Sequence, residues 1–318
     1  MPTLKEIKGR IASVRSTLKI TSAMKLVSSA KLRKAQKAIE AMRPYQAQLE
    51  RMLSVVSAPG ANEALFAPKD ANSTAPGANT DVFAPEPSRP TAIIALASNS
   101  SLCGGFNASV AAKVRSLRHS GDVVYSIGRK IADTMRRDGF PSPEDLTSLA
   151  EHPSYSPAAA LVEKLQQDFS EGRFSRVLLV YNHFVSTARQ TPVVEDLLAS
   201  AGPAAEENYF SCSGSKNQFS STNAMPTHAD AAEASDALFE PSRHELREAL
   251  EPKLLKLKLY AALLDSAAAE HAARTVAMQT ATDNGEKLLQ ELTLQYNKGR
   301  QQKITSEILD LAGGQAAE

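Results

Sequence analysis

From Pro252 to Leu311 nothing in the sequence stops a helix. Proline suits a first helical turn, where its missing N–H has no partner to lose, and no further proline follows Pro252. Gly285 and Gly299 each cost roughly 1 kcal/mol without breaking the run, and the Gly313-Gly314 pair marks its stop. At ~1.5 Å per residue such a rod would reach roughly 90 Å. A chain of 318 residues has no core that encloses it, so the helix must pair with another long helix or run through a partner. Leu257, Tyr260, Leu264 and Ala267, then Ala281, Gly285, Leu288 and Leu292, recur at three and four residues, as a coiled-coil seam does. Small residues in that seam let two backbones approach closely while burying little area.

A second rod is written into residues 3–57. Stepping alternately four and three from Ile7, the seam reads Ile7, Ile11, Val14, Leu18, Thr21, Lys25, Ser28, Leu32, Ala35, Ile39, Met42, Gln46, Leu49, Leu53, Val56, of which eleven are apolar. The 3.5-residue period predicts a left-handed supercoil. Pro44 kinks this helix or is absorbed by a local bend. Three of the four polar positions, Thr21, Lys25 and Ser28, are consecutive, and over that span the apolar residues sit one step back, at Ile20, Met24 and Val27. One step turns the stripe by roughly 100°. Two readings follow: a stutter in the coil, or an outward contact surface for another subunit. The same segment carries twelve Lys/Arg against three acids, a local charge of +9 in a chain whose total is +1. That one-sidedness points to an acidic counterpart.

Between the rods the pattern changes. Residues 58–90 hold six prolines and no period, as a linker does. Thr91–Ala97 reads as a buried strand, followed by the turn SNSSLCGGFN and a helix over 108–118. Strands are predicted at 122–127, 176–184 and 186–194, with helices at 129–137 and 157–169, the alternation of a small, mostly parallel α/β layer. Residues 202–238 are polar and aperiodic, as a mobile loop is. Ser242 with Glu245 three residues on is a capping box that leads into the long rod.

The predicted fold is therefore an α/β lobe inserted between two long terminal helices that form an antiparallel coiled coil. Its parts are an N-terminal helix over 1–57, the linker over 58–90, the lobe over 91–241, and a C-terminal helix with a protruding tip over 242–318. Because the lobe lies between the helices in sequence, Val56 and Pro252 share one end, and Ile7 falls opposite roughly residue 301, within a turn or two. The last dozen residues then lack a neighbour, yet Ile304, Ile308 and Leu311 make an apolar edge that needs cover.

Little in the chain points to chemistry. There is no phosphate-binding loop of the G-x-x-x-x-G-K-[ST] kind, and Gly104-Gly105 is too little for a dinucleotide fingerprint. Five of the six histidines, at 152, 183, 228, 244 and 271, are scattered and form no zinc pattern. Cys103, in an apolar turn, reads as a core residue, and with only Cys212 beside it the pair fits a reducing compartment. No catalytic residue, cofactor or metal is expected. The basic first helix lacks the aromatics and the dimerising form of a nucleic-acid reader. MPTLKEIKGRI is neither a secretory nor a transit signal, and no apolar run approaches the ~20 residues of a membrane span. The chain is thus expected to stay in the compartment where it is made.

Three blocks carry a resemblance that runs the length of the chain. They are RIASVRSTLKITSAMKLVSSAKLRKAQ at 10–36, SSLCGGFN at 100–107, and AAAEHAARTVAMQTATDNGEKLLQELTLQYNKGRQQKITSEILDLAGG at 267–314. Together they resemble the gamma subunit of the bacterial F-type ATP synthase. The third block holds that family's I-T-x-E-I element as Ile304-Thr305-Ser306-Glu307-Ile308. Ser98-Asn99-Ser100-Ser101 departs from the usual S-D-R-G, and Gln315 stands where an alanine normally follows the glycine.

The resemblance implies a non-catalytic central shaft inside a hexamer of alpha and beta subunits. The lobe would sit at its foot, against epsilon and the membrane ring of c subunits, peripheral to the cytoplasmic face of the inner membrane. It implies that Met24, Lys25, Arg274, Arg300, Gln301, Thr305 and Glu307 contact alpha and beta, with Ile304, Ile308 and Leu311 as the apolar tip. The residues themselves leave two alternatives open: a cytosolic scaffold with a coiled-coil stalk and an α/β head, and a dinucleotide-binding enzyme.

Overall fold

A computed structural model describes residues 3–57, 89–199, 240 and 242–314. The readings of 58–88 as linker and of 202–238 as mobile loop lie outside the described residues. The elements run α1 (Leu4–Ser57), β1 (Thr91–Leu96), α2 (Phe106–Leu117), β2 (Val123–Ile127), α3 (Arg129–Arg137), α4 (Thr147–Glu151), α5 (Tyr155–Ser170), β3 (Arg176–Phe184), β4 (Gln190–Ala199) and α6 (Arg243–Gly314).

The two terminal helices are 54 and 72 residues long, about 80 and about 110 Å at the usual rise. They lie antiparallel, and three contacts fix the register. Thr282 Oγ1 donates to Thr21 Oγ1 at 3.1 Å, Gly285 faces Leu18, and Gly299 faces Leu4. Continued at the same pace, this register sets Ile7 opposite residue 296, about a turn and a half short of the sequence estimate. Every one of the fifteen seam positions of α1 is buried or half-buried, including Thr21, Lys25 and Ser28. The seam therefore runs through the polar stretch without a stutter, while Ile20 (58% exposed) and Val27 (57%) look outward and Met24 is half-buried.

On α6 the far half of the seam differs from expectation. Leu288 is exposed, and the inward positions are Gly285, Leu289, Leu292, Tyr296 and Gly299. Alternating steps of four and three from Gly285 pass through Leu289, so Leu288 is rotated off the contact line by roughly 100°. Nor does Pro252 start the rod. The helix begins at Arg243, with Ser242 Oγ accepting from the Glu245 N–H at 3.2 Å, and carries Pro252 inside it. Pro44 likewise sits within the unbroken α1. Losing one backbone bond is tolerated where tertiary packing holds both flanks.

The lobe is a four-stranded sheet of order β2-β1-β3-β4, parallel except for β4, which pairs antiparallel with β3. β1 is buried on both faces, as a central parallel strand must be. One face packs on α2 and α3 through Ile93, Ala95, Val110, Val114, Ile131 and Met135. The other packs on α5 and on α6 itself, through Leu161, Leu165, Leu255, Leu259, Ala262 and Leu263. Gly128, between β2 and α3, has φ +114°, and a Cβ there would meet the Ala97 carbonyl oxygen at 2.1 Å, so this turn requires glycine. The fourth strand begins at Gln190 rather than 186, because Ser186 and Arg189 close a hydrogen-bonded turn first.

The segment 255–273 of α6 thus has neighbours on two sides. Leu257 packs with Leu49 of α1, Ala268 and Ala272 pack with Leu32 and Ala35, and Ala269 packs with Cys103 and Phe106 of the lobe. Alanine is the residue that lets a strand layer and a second helix both approach one helix this closely.

Candidate functional site

The residues expected to touch other subunits fall into two groups along the shaft. Met24 and Lys25 lie on α1 opposite residues 278–279 of α6, and Arg274 lies about one turn nearer the lobe. Arg300, Gln301, Thr305 and Glu307 follow roughly 35 Å further along α6. The second group is on bare helix. Leu4 has already met Gly299, and every residue from Arg300 to Leu309 is exposed. Ile304 (47% exposed) and Ile308 (59%) stand open as expected, joined by Leu309 at 65%. The Leu311 side chain lies outside the described residues. Thr305 Oγ1 donates back to the Gln301 carbonyl at 2.9 Å, and Lys303 stands 3.6 Å from Glu307. Exposed pairs of that kind contribute little to stability, so these side chains are available to a partner.

Arg274 is different. It is only 8% exposed, donating to Glu270 Oε1 at 2.6 Å and to Ser100 Oγ at 2.7 Å. Burial raises the Glu270 pKa despite its arginine partner. Beside them burial, helped by Arg274 and Lys31, lowers the His271 pKa to about 4. His271 Nδ1 is buried without a hydrogen-bond partner, which suits an uncharged ring.

The loop after β1 that reaches Arg274 is built around Ser98, whose Oγ lies 2.6 Å from the Ser100 carbonyl oxygen and 3.0 Å from Asn107 Oδ1. Asn99 links the neighbouring elements, accepting from the Arg129 N–H at 2.9 Å and donating to the Thr147 carbonyl at 2.8 Å. Leu102 and Gly104 take left-handed backbone conformations, which turn Cys103 into the core and leave Leu102 exposed.

Nine residues before Arg274, Asp265 accepts from the Phe184 N–H at 3.1 Å with one oxygen and holds His183 Nδ1 at 2.5 Å with the other. That bond raises the His183 pKa. Sequence reading gave no role to this aspartate or to Glu270, and marked Ser100 only as part of the Ser98-Asn99-Ser100-Ser101 departure. The available signal was charge within an alanine run: Asp265, Glu270 and Arg274 interrupt an otherwise small, apolar stretch and so need partners. Among the described residues no group of His, Cys, Asp and Glu could hold a metal ion. No described helix is long and apolar enough to cross a membrane.

An antiparallel helical rod with a lobe strapped to one end and a bare, apolar-edged tip at the other defines a shaft-type subunit of a larger assembly. The family model described as ATP synthase matches residues 3–317. A protein named ATP synthase gamma chain from Phocaeicola vulgatus is 41% identical over 325 residues, covering 100% of both chains. Relatives with the same name in Bacteroides fragilis and Flavobacterium johnsoniae are 42% and 36% identical over 325 and 321 residues, covering at least 99% of each chain. The chain belongs to the ATP synthase gamma-chain family.

Its fold is also similar to solved chains of the Euglena gracilis mitochondrial ATP synthase. A chain from the rotor in rotational state 1 has TM-score 0.61 and 16% identity, with 95% of this chain and 98% of that one covered. A chain from the OSCP/F1/c-ring assembly in state 3 has TM-score 0.63 and 17% identity, with 99% and 94% covered.

Proposed function

We propose that the chain is the central-stalk gamma subunit of a proton-translocating F-type ATP synthase. In this reading the terminal helices, over 1–57 and 242–318, are the shaft. The lobe over 91–241 is the coupling that takes up rotation of the membrane c-ring and meets epsilon. The shaft's turning drives alpha and beta through the conformations that make or hydrolyse ATP. The chain itself makes and breaks no bond. It works peripherally at the cytoplasmic face of the bacterial inner membrane, reached through its partners.

The observation that carries this reading is the ten-residue exposed run from Arg300 to Leu309. A helix bearing Ile304, Ile308 and Leu309 in water is poorly placed on its own account and well placed inside a ring of other subunits. Met24, Lys25, Arg274, Arg300, Gln301, Thr305 and Glu307 are proposed to meet alpha and beta. The outward Ile20 and Val27 beside the α1 lysines make the shaft unlike itself around its circumference, as torque transfer requires.

Mild purification of the native complex tests the assignment. One copy of this chain should co-purify with a nucleotide-hydrolysing alpha/beta hexamer. Isolation with a different assembly, free of ATPase activity, would contradict it and favour a scaffold.

A further inference from the structure

A lobe that passes rotation to a helix must resist being twisted around that helix. The α6 face under the lobe sets Leu255, Leu259, Ala262 and Leu263 against the sheet and only Ala269 and Ala273 against Cys103 and Phe106, and apolar contact is non-directional. Directional bonds set off the helix axis fix the angle that such contact leaves open.

Four side chains of α6 supply such bonds to the lobe. Lys256 meets Glu163 at 2.6 Å, Lys258 donates to the Asp196 carbonyl at 3.2 Å, Asp265 holds the end of β3, and Arg274 donates to Ser100. They differ in stiffness. Both lysines reach out on four-carbon stems, and Glu163 is 61% exposed, so that pair is screened and loosely held. Arg274 ends on Ser100, in the loop after β1 rather than in a strand. Asp265 has a short side chain, uses both carboxylate oxygens, and bonds at once to a ring and to the backbone N–H of Phe184 in the sheet's β3. At this end β3 is held by β4, His183 opposite Thr191 and Phe184 opposite Gln190, so its backbone cannot yield without disturbing that pairing.

We infer that Asp265 is the torsional key of the molecule: its two hydrogen bonds, to His183 and to Phe184, fix the lobe's angle about α6 and so set how stiffly lobe rotation reaches the shaft. Asp265 is a positioning residue, acting on no nucleotide. The inference rests on the shaft reading and deepens it.

The test uses the assembled complex with its hexamer immobilised. A rod attached through Arg136→Cys, at an exposed position of α3, reports the lobe's angle. With the shaft stalled in the hexamer, Asp265→Ala should raise the variance of that angle about twofold while the hydrolysis rate stays within twofold of the parent. Asp265→Asn, which keeps an acceptor for the Phe184 N–H, should fall between the two. Unchanged variance in an assembled Asp265→Ala complex would overturn the inference, and so would a lower melting temperature without added angular freedom, since that is packing alone. A parent complex that hydrolyses ATP while its rod never turns would instead overturn the shaft reading beneath it.

Discussion

His271 on α6 and His183 near the end of β3, on opposite sides of the same joint, answer pH in opposite senses. The His271 pKa is lowered to about 4 in the fold, first by burial and then by Arg274 and Lys31, against an ordinary value near 6.5. Its neutral ring is compatible with the fold above about 6.5. As pH falls from there to about 4 the unfolded chain takes up a proton that the folded chain refuses, so stability is lost across that window. Comparing urea unfolding of the native chain with His271→Gln, the native chain should lose about 2–3 kcal/mol relative to the variant between pH 7.5 and 4. A constant difference between the two would remove this group from the acid response. His183 works the other way: its pKa is raised by the bond to Asp265, so the stability that bond adds is full below the ordinary histidine value and fades as pH rises through the raised one.

At the scale of elements, the coil depends on how closely two backbones approach. A Cβ on Gly285 would come within 2.7 Å of Leu18 Cδ2 and 3.3 Å of its Cγ. Gly285→Val adds bulk that Leu18 must swing away from, so the full-length chain should lose about 1–3 kcal/mol in denaturant unfolding. Gly285→Ala should sit near neutral, since the gain in helix propensity of roughly 1 kcal/mol offsets the smaller clash. A valine variant as stable as the parent would show that the helices stand further apart here.

The seam of α1 could be read from sequence because its period is local, and Ile7 through Val56 all lie where the heptad sets them. Leu288 could not, because Leu288 and Leu289 are equally apolar and only the partner's register chooses between them. The five-residue α4 went unread for want of a period, having a single buried residue, Leu149. The lobe-to-shaft bonds were beyond local reading altogether. Asp265 and His183 are 82 residues apart, and Arg274 and Ser100 are 174 apart; charge in an alanine run signals that a partner is needed without naming it.

Over the whole molecule, α6 is held by α1 and the lobe at one end and by neither at the other. That asymmetry separates two kinds of damage. Met24 is half-buried between the exposed Ile20 and Val27, so Met24→Lys adds a charge beside Lys25 on the shaft's surface while leaving the core untouched. Reconstituted in the complex, the variant should keep its hydrolysis rate within a fewfold while proton pumping per ATP falls. Equal losses of both, with the complex dissociated, would mean that folding or assembly had failed instead.

The claim on which the rest stands is that the bare end of α6 lies in a socket made by other chains. Ile308→Cys, carrying a short photoreactive crosslinker and assembled in the native complex, tests it most directly. A crosslink to the alpha or beta subunits of the hexamer, and to nothing else in quantity, is expected; a crosslink confined to this chain, or to a second copy of it, would mean that no such socket exists.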